Sequence, residues 1–258
     1  MNLRGVSCAL VAAGLVSLAN SSFAACDAKS GPRKAALVEL YTSEGCSSCP
    51  PADARLSRLG EALDPGAEAI ALALHVDYWD YLGWTDPYAQ HGFSDRQSWL
   101  VHANQQRTVY TPQFFVNGAE LPLTSAALRD EVRRVNRARA GAEIRLHGHQ
   151  VADGTLLASA EASGSGASLA LYVALAESGL ASKVSRGENA GATLAHDHVV
   201  RRWLGPVRLS GDKARLERSI AVPASWNRAR LELIAFVQDE RTGEVLQAVR
   251  TTQCTLFP

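Results

Sequence analysis

The sequence is short of net charge, of cysteine and of long apolar runs, and each shortage excludes a class of protein. Its 26 Lys and Arg side chains are balanced by 26 Asp and Glu side chains, so it lacks the basic excess of a general nucleic-acid binder. Five cysteines in 258 residues are too few for a disulfide scaffold. Beyond residue 25 no stretch reaches the ~18 uninterrupted apolar residues that a membrane-spanning helix needs. We therefore expect no nucleic-acid partner, and a chain long enough to bury its own core.

The first 25 residues have the pattern of a secretory signal peptide. Arg4 gives a positive start, residues 6–19 are apolar, and Phe23-Ala24-Ala25 places small residues before a cleavage point. The pattern predicts a periplasmic or secreted protein. Cys26 follows directly, which leaves two alternatives open: a lipoprotein that reaches the membrane only through lipidation at Cys26, and an uncleaved anchor.

Cleavage at that point would leave four cysteines, namely Cys26, Cys46, Cys49 and Cys254. An even number in an exported protein permits full pairing. Cys26 and Cys254 stand at opposite ends of the mature chain, and chain ends often lie close together. We therefore expect a structural disulfide between them.

The order of apolar patterns predicts two units. Residues 35–41 and 69–76 are apolar runs of strand length, and residues 52–63 between them have helical spacing, which is typical of a βαβ unit with parallel strands. A helix over 94–104, a strand over 113–116 and a helix over 124–140 follow. The period then changes to two, and seven strands are predicted, over 142–150, 155–162, 168–176, 197–204, 213–222, 229–238 and 244–251. The predicted fold class is an α/β domain over 26–140 followed by a small all-β, antiparallel sandwich-like domain over 141–258.

The motif that carries chemistry is Cys46-Ser47-Ser48-Cys49, placed between the first strand and the first helix. This spacing lets one thiolate attack a disulfide while the other resolves the mixed disulfide, and a helix N-terminus lowers the pKa of a nearby thiol. Cys46 is then the nucleophile and Cys49 the resolving thiol. An inert disulfide and half of a metal site are the alternatives. A zinc site would need further ligands at similar spacing, and no second C-x-x-C exists, so we expect no metal or cofactor.

A Thr111-Pro112 pair stands just before the strand at 113–116 and the Asn117-Gly118 turn. Combined with the strand–CxxC–helix–strand order, residues 35–140 resemble the thioredoxin superfamily. The resemblance implies a thioredoxin-like α/β domain in which Pro112 is a cis proline facing the cysteines. It also implies that the backbone of Thr111 pairs with an extended substrate.

Five longer segments are similar to a bacterial secreted family called domain of unknown function 1223, and together they span nearly all of the mature chain. They are residues 38–53, 75–84, 110–113, 186–191 and 199–201. This resemblance implies a thioredoxin-like domain with an appended β domain, and no settled substrate.

Residues that follow the predicted strands surround the CxxC. Because the carboxyl ends of parallel strands meet at one edge of a sheet, the loop with Tyr78 and Trp79 should border the cysteines, either as a substrate platform or as packing. Asp77 is a loop cap or a catalytic carboxylate. Glu39 interrupts an apolar strand, either as a buried acid or base near the thiols or as a solvent-facing side chain.

Histidines occur in two pairs at a spacing of two residues, His147 with His149 and His196 with His198. Residues so spaced share one face of a strand. Each pair is either a metal clamp or part of a solvent-facing strand.

Three hypotheses about function follow. The first is an exported thiol–disulfide oxidoreductase whose partner is a protein thiol or disulfide, with Tyr78, Trp79, Thr111 and Pro112 binding the substrate. The second is a binding module of the cell envelope in which the Cys46–Cys49 disulfide is structural. The third is a copper or zinc carrier that uses Cys46, Cys49 and His75.

Overall fold

The computed structural model describes residues 25–122 and 125–251, over which the chain forms fourteen strands and three α-helices. The strands are β1 (Ala25–Lys29), β2 (Ala36–Thr42), β3 (Ala69–His75), β4 (Gln113–Val116), β5 (Ala119–Leu121), β6 (Ala142–Ala152), β7 (Thr155–Gly164), β8 (Leu169–Glu177), β9 (Leu180–Lys183), β10 (Thr193–His196), β11 (Val199–Arg208), β12 (Lys213–Ala221), β13 (Leu231–Asp239) and β14 (Val245–Arg250). The helices are α1 (Pro50–Ser57), α2 (His91–Ala103) and α3 (Ser125–Arg137). Within these residues no helix is long and apolar enough to cross a membrane.

An eight-stranded mixed sheet in the order β14-β13-β8-β11-β3-β2-β4-β5 is the centre of the fold. β2 is parallel to β3, and β3 is parallel to β11 at Val199 and Ala73. The central strands β2, β3 and β8 are buried almost throughout, which explains their continuous apolar sequence, because both of their faces are covered.

A second sheet contains four antiparallel strands in the order β1-β6-β7-β12. Along β6, buried and more exposed residues alternate in the first half of the strand. One face therefore meets the core and the other meets solvent.

The core has three parts around the eight-stranded sheet. One sheet face packs against α2, with Phe93, Leu100 and Phe236 buried between them. The opposite face is divided. Its β8 and β13 half packs on the four-stranded sheet, and its β2 and β3 half packs on α1 and α3 through residues such as Leu56 and Val132.

The predicted fold class, an α/β thioredoxin-like domain followed by a small all-β domain, is wrong. Strands from both halves of the chain are hydrogen-bonded into the one eight-stranded sheet, and β1 from the first half pairs with β6 in the other sheet. The structure is mostly β. Period-two patterning identified the strands but contains no information on which strands lie side by side. The predicted domain bounds, 26–140 and 141–258, do not depend on the fold class, and they stay a prediction.

Individual elements agree better with their sequence patterns. All seven strands predicted after residue 141 are present, with ends that differ by a few residues. The short strands β1, β5, β9 and β10 were missed. The first helix ends at Ser57, and a 3-10 turn over Leu59–Ala62 follows it, so the helical spacing to residue 63 combined two elements.

Candidate functional site

The CxxC lies in the turn between β2 and α1. Cys46 and Cys49 form a disulfide with a Cα–Cα distance of 5.4 Å, and both residues are fully buried. Cys49 is the N-cap of α1, and its carbonyl oxygen accepts hydrogen bonds from the N–H groups of Ala52 and Asp53. Pro50 fits the first turn because the N–H it lacks has no partner inside a helix there. Cys46 therefore lies just outside the helix.

Trp79 and Thr111, two of the predicted substrate-binding residues, lie together beside the CxxC turn. The indole Nε1 of Trp79 donates to the hydroxyl oxygen of Thr111 at 2.8 Å. A Cβ atom added at Gly45 would be 2.9 Å from the Cβ of Trp79, which is too close for two carbon atoms. Position 45 of the turn therefore accommodates only glycine next to Trp79. The peptide bond between Thr111 and Pro112 is cis, which confirms that prediction.

An exposed apolar patch adjoins this contact. Of the five large apolar side chains that are exposed in the described part of the chain, four belong to the loops joined by Trp79 and Thr111. They are Tyr78, Tyr81, Val109 and Tyr110, and we call them the aromatic patch. The hydroxyl of Tyr78 donates to Oε1 of Gln97 at 3.1 Å, which holds its ring in place at the surface.

A loop from the second half of the chain reaches the other side of the CxxC turn. The backbone N–H of Ser47 donates to Oε2 of Glu188 at 2.9 Å. The side-chain amide of Asn189 donates to the carbonyl oxygens of Glu44 and Cys46, at 2.8 and 2.9 Å. The backbone on both sides of Cys46 is thus held by two neighbouring side chains that the sequence interpretation did not assign.

Five buried titratable side chains lie together next to the turn, and we call them the polar cluster. They are Glu44, Asp53, His75, Asp86 and His196. Nδ1 of His75 is 2.7 Å from Asp86, and Nε2 of His196 is 3.0 Å from Glu44. The Glu44 carboxylate also accepts from the indole of Trp84, at 2.8 Å. The two histidine rings contact each other edge to face, with centroids 5.0 Å apart.

Charges within the polar cluster shift its pKa values in opposite directions. Burial raises the pKa of Asp53, against the lowering effect of the two histidines. Burial alone would lower the pKa of His75, but the charge of Asp86 and a hydrogen bond to it raise it overall. For Asp86, the His75 contacts outweigh the raising effect of burial and lower the pKa. The His75–Asp86 contact therefore favours the charged form of both groups, whereas burial shifts Asp53 toward its neutral form relative to an exposed carboxyl group.

Three atoms of the polar cluster have no hydrogen-bond partner among the described residues: Oδ1 of Asp53, Nε2 of His75 and Nδ1 of His196. Nδ1 of His196 is 3.8 Å from Oδ2 of Asp53, which is too far for a hydrogen bond. Over residues 25–122 and 125–251, no group of three or more His, Cys, Asp or Glu side chains is arranged to hold a metal ion. The cluster can store and release protons close to the disulfide.

Two predicted acidic residues have other surroundings. Glu39 belongs to the β2 face that packs toward α2, opposite the face that packs on α1, and its Oε1 is 2.8 Å from Nε of Arg96. Asp77 accepts a hydrogen bond from the hydroxyl of Ser94 and is 2.8 Å from Nδ1 of His91, so it joins its loop to the first turns of α2. The acids next to the CxxC turn are Glu44, Asp53 and Asp86 of the polar cluster, and Asp53 lies four residues after Cys49 on α1.

The paired histidines also differ from one another. His147 and His149 are 2.9 Å apart on β6, and His147 contacts Asp27 on β1. β10 ends at His196 and β11 begins at Val199, so His196 and His198 do not share one strand.

Some predictions fall on other parts of the chain. Cys26 is buried between the sheets. Cys254 lies outside the described residues, so the Cys26–Cys254 disulfide stays a prediction. The predicted signal peptide also lies outside them, except for its last residue, Ala25.

The chain was compared with protein families, curated proteins and solved structures. Residues 37–238 match the model of a family described as protein of unknown function (DUF1223), and no curated protein matches the chain. A crystal structure of a protein from Agrobacterium tumefaciens is 24% identical, with a TM-score of 0.59 over 86% of this chain and 95% of the other. The structure of HBP35 of Porphyromonas gingivalis is 16% identical, with a TM-score of 0.62 over 86% of this chain and 76% of the other. At these identities the likeness concerns the fold alone.

Proposed function

The chain belongs to the DUF1223 family, and we propose that its Cys46–Cys49 pair carries out thiol–disulfide exchange with exported polypeptides. The observation that carries the proposal is the position of this disulfide at the start of α1, in a turn that meets Trp79 at Gly45, with Trp79 in turn bonded to Thr111 of the cis Thr111–Pro112 bond. A disulfide that only stabilises a fold has no need of an exposed apolar surface next to it. The N-terminal sequence pattern supports export to the periplasm or beyond the cell, where disulfides persist.

The exchange balances without a cofactor. In the reduced protein, the Cys46 thiolate attacks a substrate disulfide, a new Cys46–substrate bond forms, and one substrate thiolate leaves. The Cys49 thiolate then attacks Sγ of Cys46, and the second substrate thiolate leaves. Two electrons pass to the substrate, and the Cys46–Cys49 disulfide forms. The reverse sequence oxidises a substrate dithiol, and the reduction potential decides the direction.

In this reaction the polar cluster provides the groups that donate and accept protons. Asp53 lies one helical turn after Cys49, and residues four apart share a face of a helix. Its buried carboxyl group has a raised pKa, so it can release a proton to a departing thiolate and take it back.

The surroundings favour extended, apolar polypeptide segments as substrates. Tyrosine rings offer contact area with little loss of side-chain entropy, and the aromatic patch has three of them. The chain has no net charge, so the sequence gives no reason to expect selection by charge.

Trapping the mixed disulfide tests the proposal. A Cys49→Ser variant lacks the resolving thiol, so Cys46 should remain joined to its substrate after exposure to oxidised, unfolded polypeptide. Cys46→Ser is the matched control and should capture nothing. Equal capture by both variants, or capture by neither, would count against the proposal.

A binding module with a structural disulfide is the second candidate, and the full burial of both cysteines favours it. A double variant, Cys46→Ser with Cys49→Ser, separates the two functions. Retained binding of apolar peptides with no loss of cellular role would support the binding module. The copper or zinc carrier has no comparable support, since the described residues offer no arranged set of ligands.

A further inference from the structure

The connection between β8 and β11 is much longer than the sheet requires. These two strands are antiparallel neighbours, and neighbouring antiparallel strands are commonly joined by a few residues. Here the chain leaves the sheet at Glu177, forms the β9–β10 hairpin and returns at Val199.

The tip of this hairpin lies on the CxxC turn. Glu188 accepts from the N–H of Ser47, and Asn189 donates to the carbonyl oxygens of Glu44 and Cys46. The hydrogen bonds from Ser47 lower the pKa of Glu188, so this side chain is a carboxylate at neutral pH.

The rest of the tip lies at van der Waals distance from the loop that contains Gly83 and Trp84. A Cβ atom added at Gly187 would be 3.6 Å from the Cβ of Trp84, and Cδ of Arg186 is 3.8 Å from the corresponding position at Gly83. Arg186 and Glu188 are themselves exposed. The Ser47–Glu188 hydrogen bond is exposed, and the two hydrogen bonds from Asn189 are partly buried. A segment held by such side-chain hydrogen bonds opens locally at a lower cost than a strand of the sheet core.

The sulfur atoms of the disulfide become accessible only if a segment that borders the CxxC turn moves away. Thiol–disulfide exchange requires the attacking group to reach a sulfur atom of the disulfide, and both cysteines are fully buried. A partner therefore cannot attack the closed form, and one of the two segments that border the turn must move. Trp79 is fixed by van der Waals contact with Gly45 and by its bond to Thr111, whereas the hairpin tip is held by three side-chain hydrogen bonds.

We propose that residues 185–191 form a lid over the Cys46–Cys49 disulfide, with Glu188 and Asn189 as the positioning residues that hold it closed. The lid opens before a sulfur atom is attacked, and so limits exchange to partners that trap the open form. This inference rests on the proposed function for its biological meaning, but the opening itself is a property of the oxidised chain.

The test is the rate at which a small phosphine, TCEP, reduces the Cys46–Cys49 disulfide in the oxidised, full-length protein. Each time point is alkylated and mapped by mass spectrometry, so that any other disulfide is counted separately. Removing one hydrogen bond should shift the opening equilibrium about five- to tenfold, since such bonds contribute about 1 kcal/mol net and 1.4 kcal/mol is a factor of ten. We expect Glu188→Ala to be reduced faster by that factor, and Asn189→Ala, which loses two hydrogen bonds, by at least as much.

The control variants distinguish opening of the lid from a general destabilisation of the protein. Glu143→Ala removes an exposed glutamate from β6 and should be reduced at the wild-type rate. Glu188→Gln keeps an acceptor for the Ser47 N–H and should fall between wild type and Glu188→Ala. Wild-type rates in both alanine variants, with unchanged unfolding midpoints, would overturn the lid. Faster phosphine reduction in these variants, without exchange of any protein disulfide, would support the lid and contradict the proposed function instead.

Discussion

Replacing Glu39 with glutamine should strongly destabilise the protein, because it leaves the Arg96 guanidinium in the core without its counter-charge. Glu39 is fully buried and Arg96 is 8% exposed, and their Oε1 and Nε atoms are 2.8 Å apart. Arg96 also donates to Oε1 of Gln238 on β13, at 3.0 Å. The pair thus connects β2, α2 and β13 across the sheet.

The expected magnitude follows from what remains after the substitution. Breaking a buried ion pair by removing one partner costs about 3–5 kcal/mol. The Gln238 bond survives, and the guanidinium carbon still lies 4.6–5.5 Å from the centroids of four aromatic rings. Cation–π contacts at desolvated sites contribute about 2 kcal/mol. We therefore expect a loss near the lower limit, about 3 kcal/mol in the free energy of unfolding.

Equilibrium denaturation in urea, with the cysteines kept oxidised, measures this loss. Glu161→Gln is the matched control, because Glu161 is exposed and 3.4 Å from Arg215, and exposed pairs contribute about 0–1 kcal/mol. A Glu39→Gln, Arg96→Met double variant should recover part of the stability, since it leaves no unpaired charge in the core. A loss below about 1 kcal/mol for Glu39→Gln, with altered exchange rates, would refute this reasoning and restore Glu39 as an acid or base of the site.

Two further predictions concern a buried acid and a close backbone contact. Burial raises the pKa of Asp53, so the native state binds its proton more tightly than the unfolded chain does. Wild-type stability is then lost as pH rises through the folded-state pKa, and Asp53→Asn should gain on wild type in urea titrations as pH rises above about 3.9, the ordinary pKa of aspartate. An advantage that shrinks with rising pH would contradict the shift. Gly118→Ala should prevent folding or cost more than about 4 kcal/mol, the range of exceptional substitutions, because its Cβ would lie 1.7 Å from the carbonyl oxygen of Gly243 at a φ of +83°. Circular dichroism and thermal melts measure this effect, and a near-native melting temperature would contradict it.

Features of the site that depend on neighbouring residues could be predicted from the sequence. The turn between β2 and α1 follows from an apolar run, a CxxC and a segment with helical spacing. The cis Thr111–Pro112 bond was predicted through resemblance to a superfamily whose domain architecture this chain does not have. A correct local feature therefore did not imply the predicted overall fold.

Contacts between distant residues could not be predicted. Glu188, Asn189 and His196 reach the CxxC turn only because the β9–β10 hairpin folds back from between β8 and β11, and no periodicity encodes that path. The pairing of β11 with β3 joins the strands of the two halves of the chain into one large sheet. This pairing is a short parallel contact at Val199 and Ala73. One signal was available: Asp53 is a charged residue four positions after Cys49, on the helix face that the apolar spacing marks as buried.

The equilibrium reduction potential of the Cys46–Cys49 pair distinguishes an exchange catalyst from a structural disulfide. The protein is equilibrated in buffers of graded glutathione or dithiothreitol ratio and alkylated, and the fraction of these two cysteines that is reduced is measured by peptide mass spectrometry. If the pair carries out exchange, we expect a value between about −270 and −120 mV, the range of exchange catalysts. A potential below about −300 mV, where structural disulfides of secreted proteins lie, would contradict it.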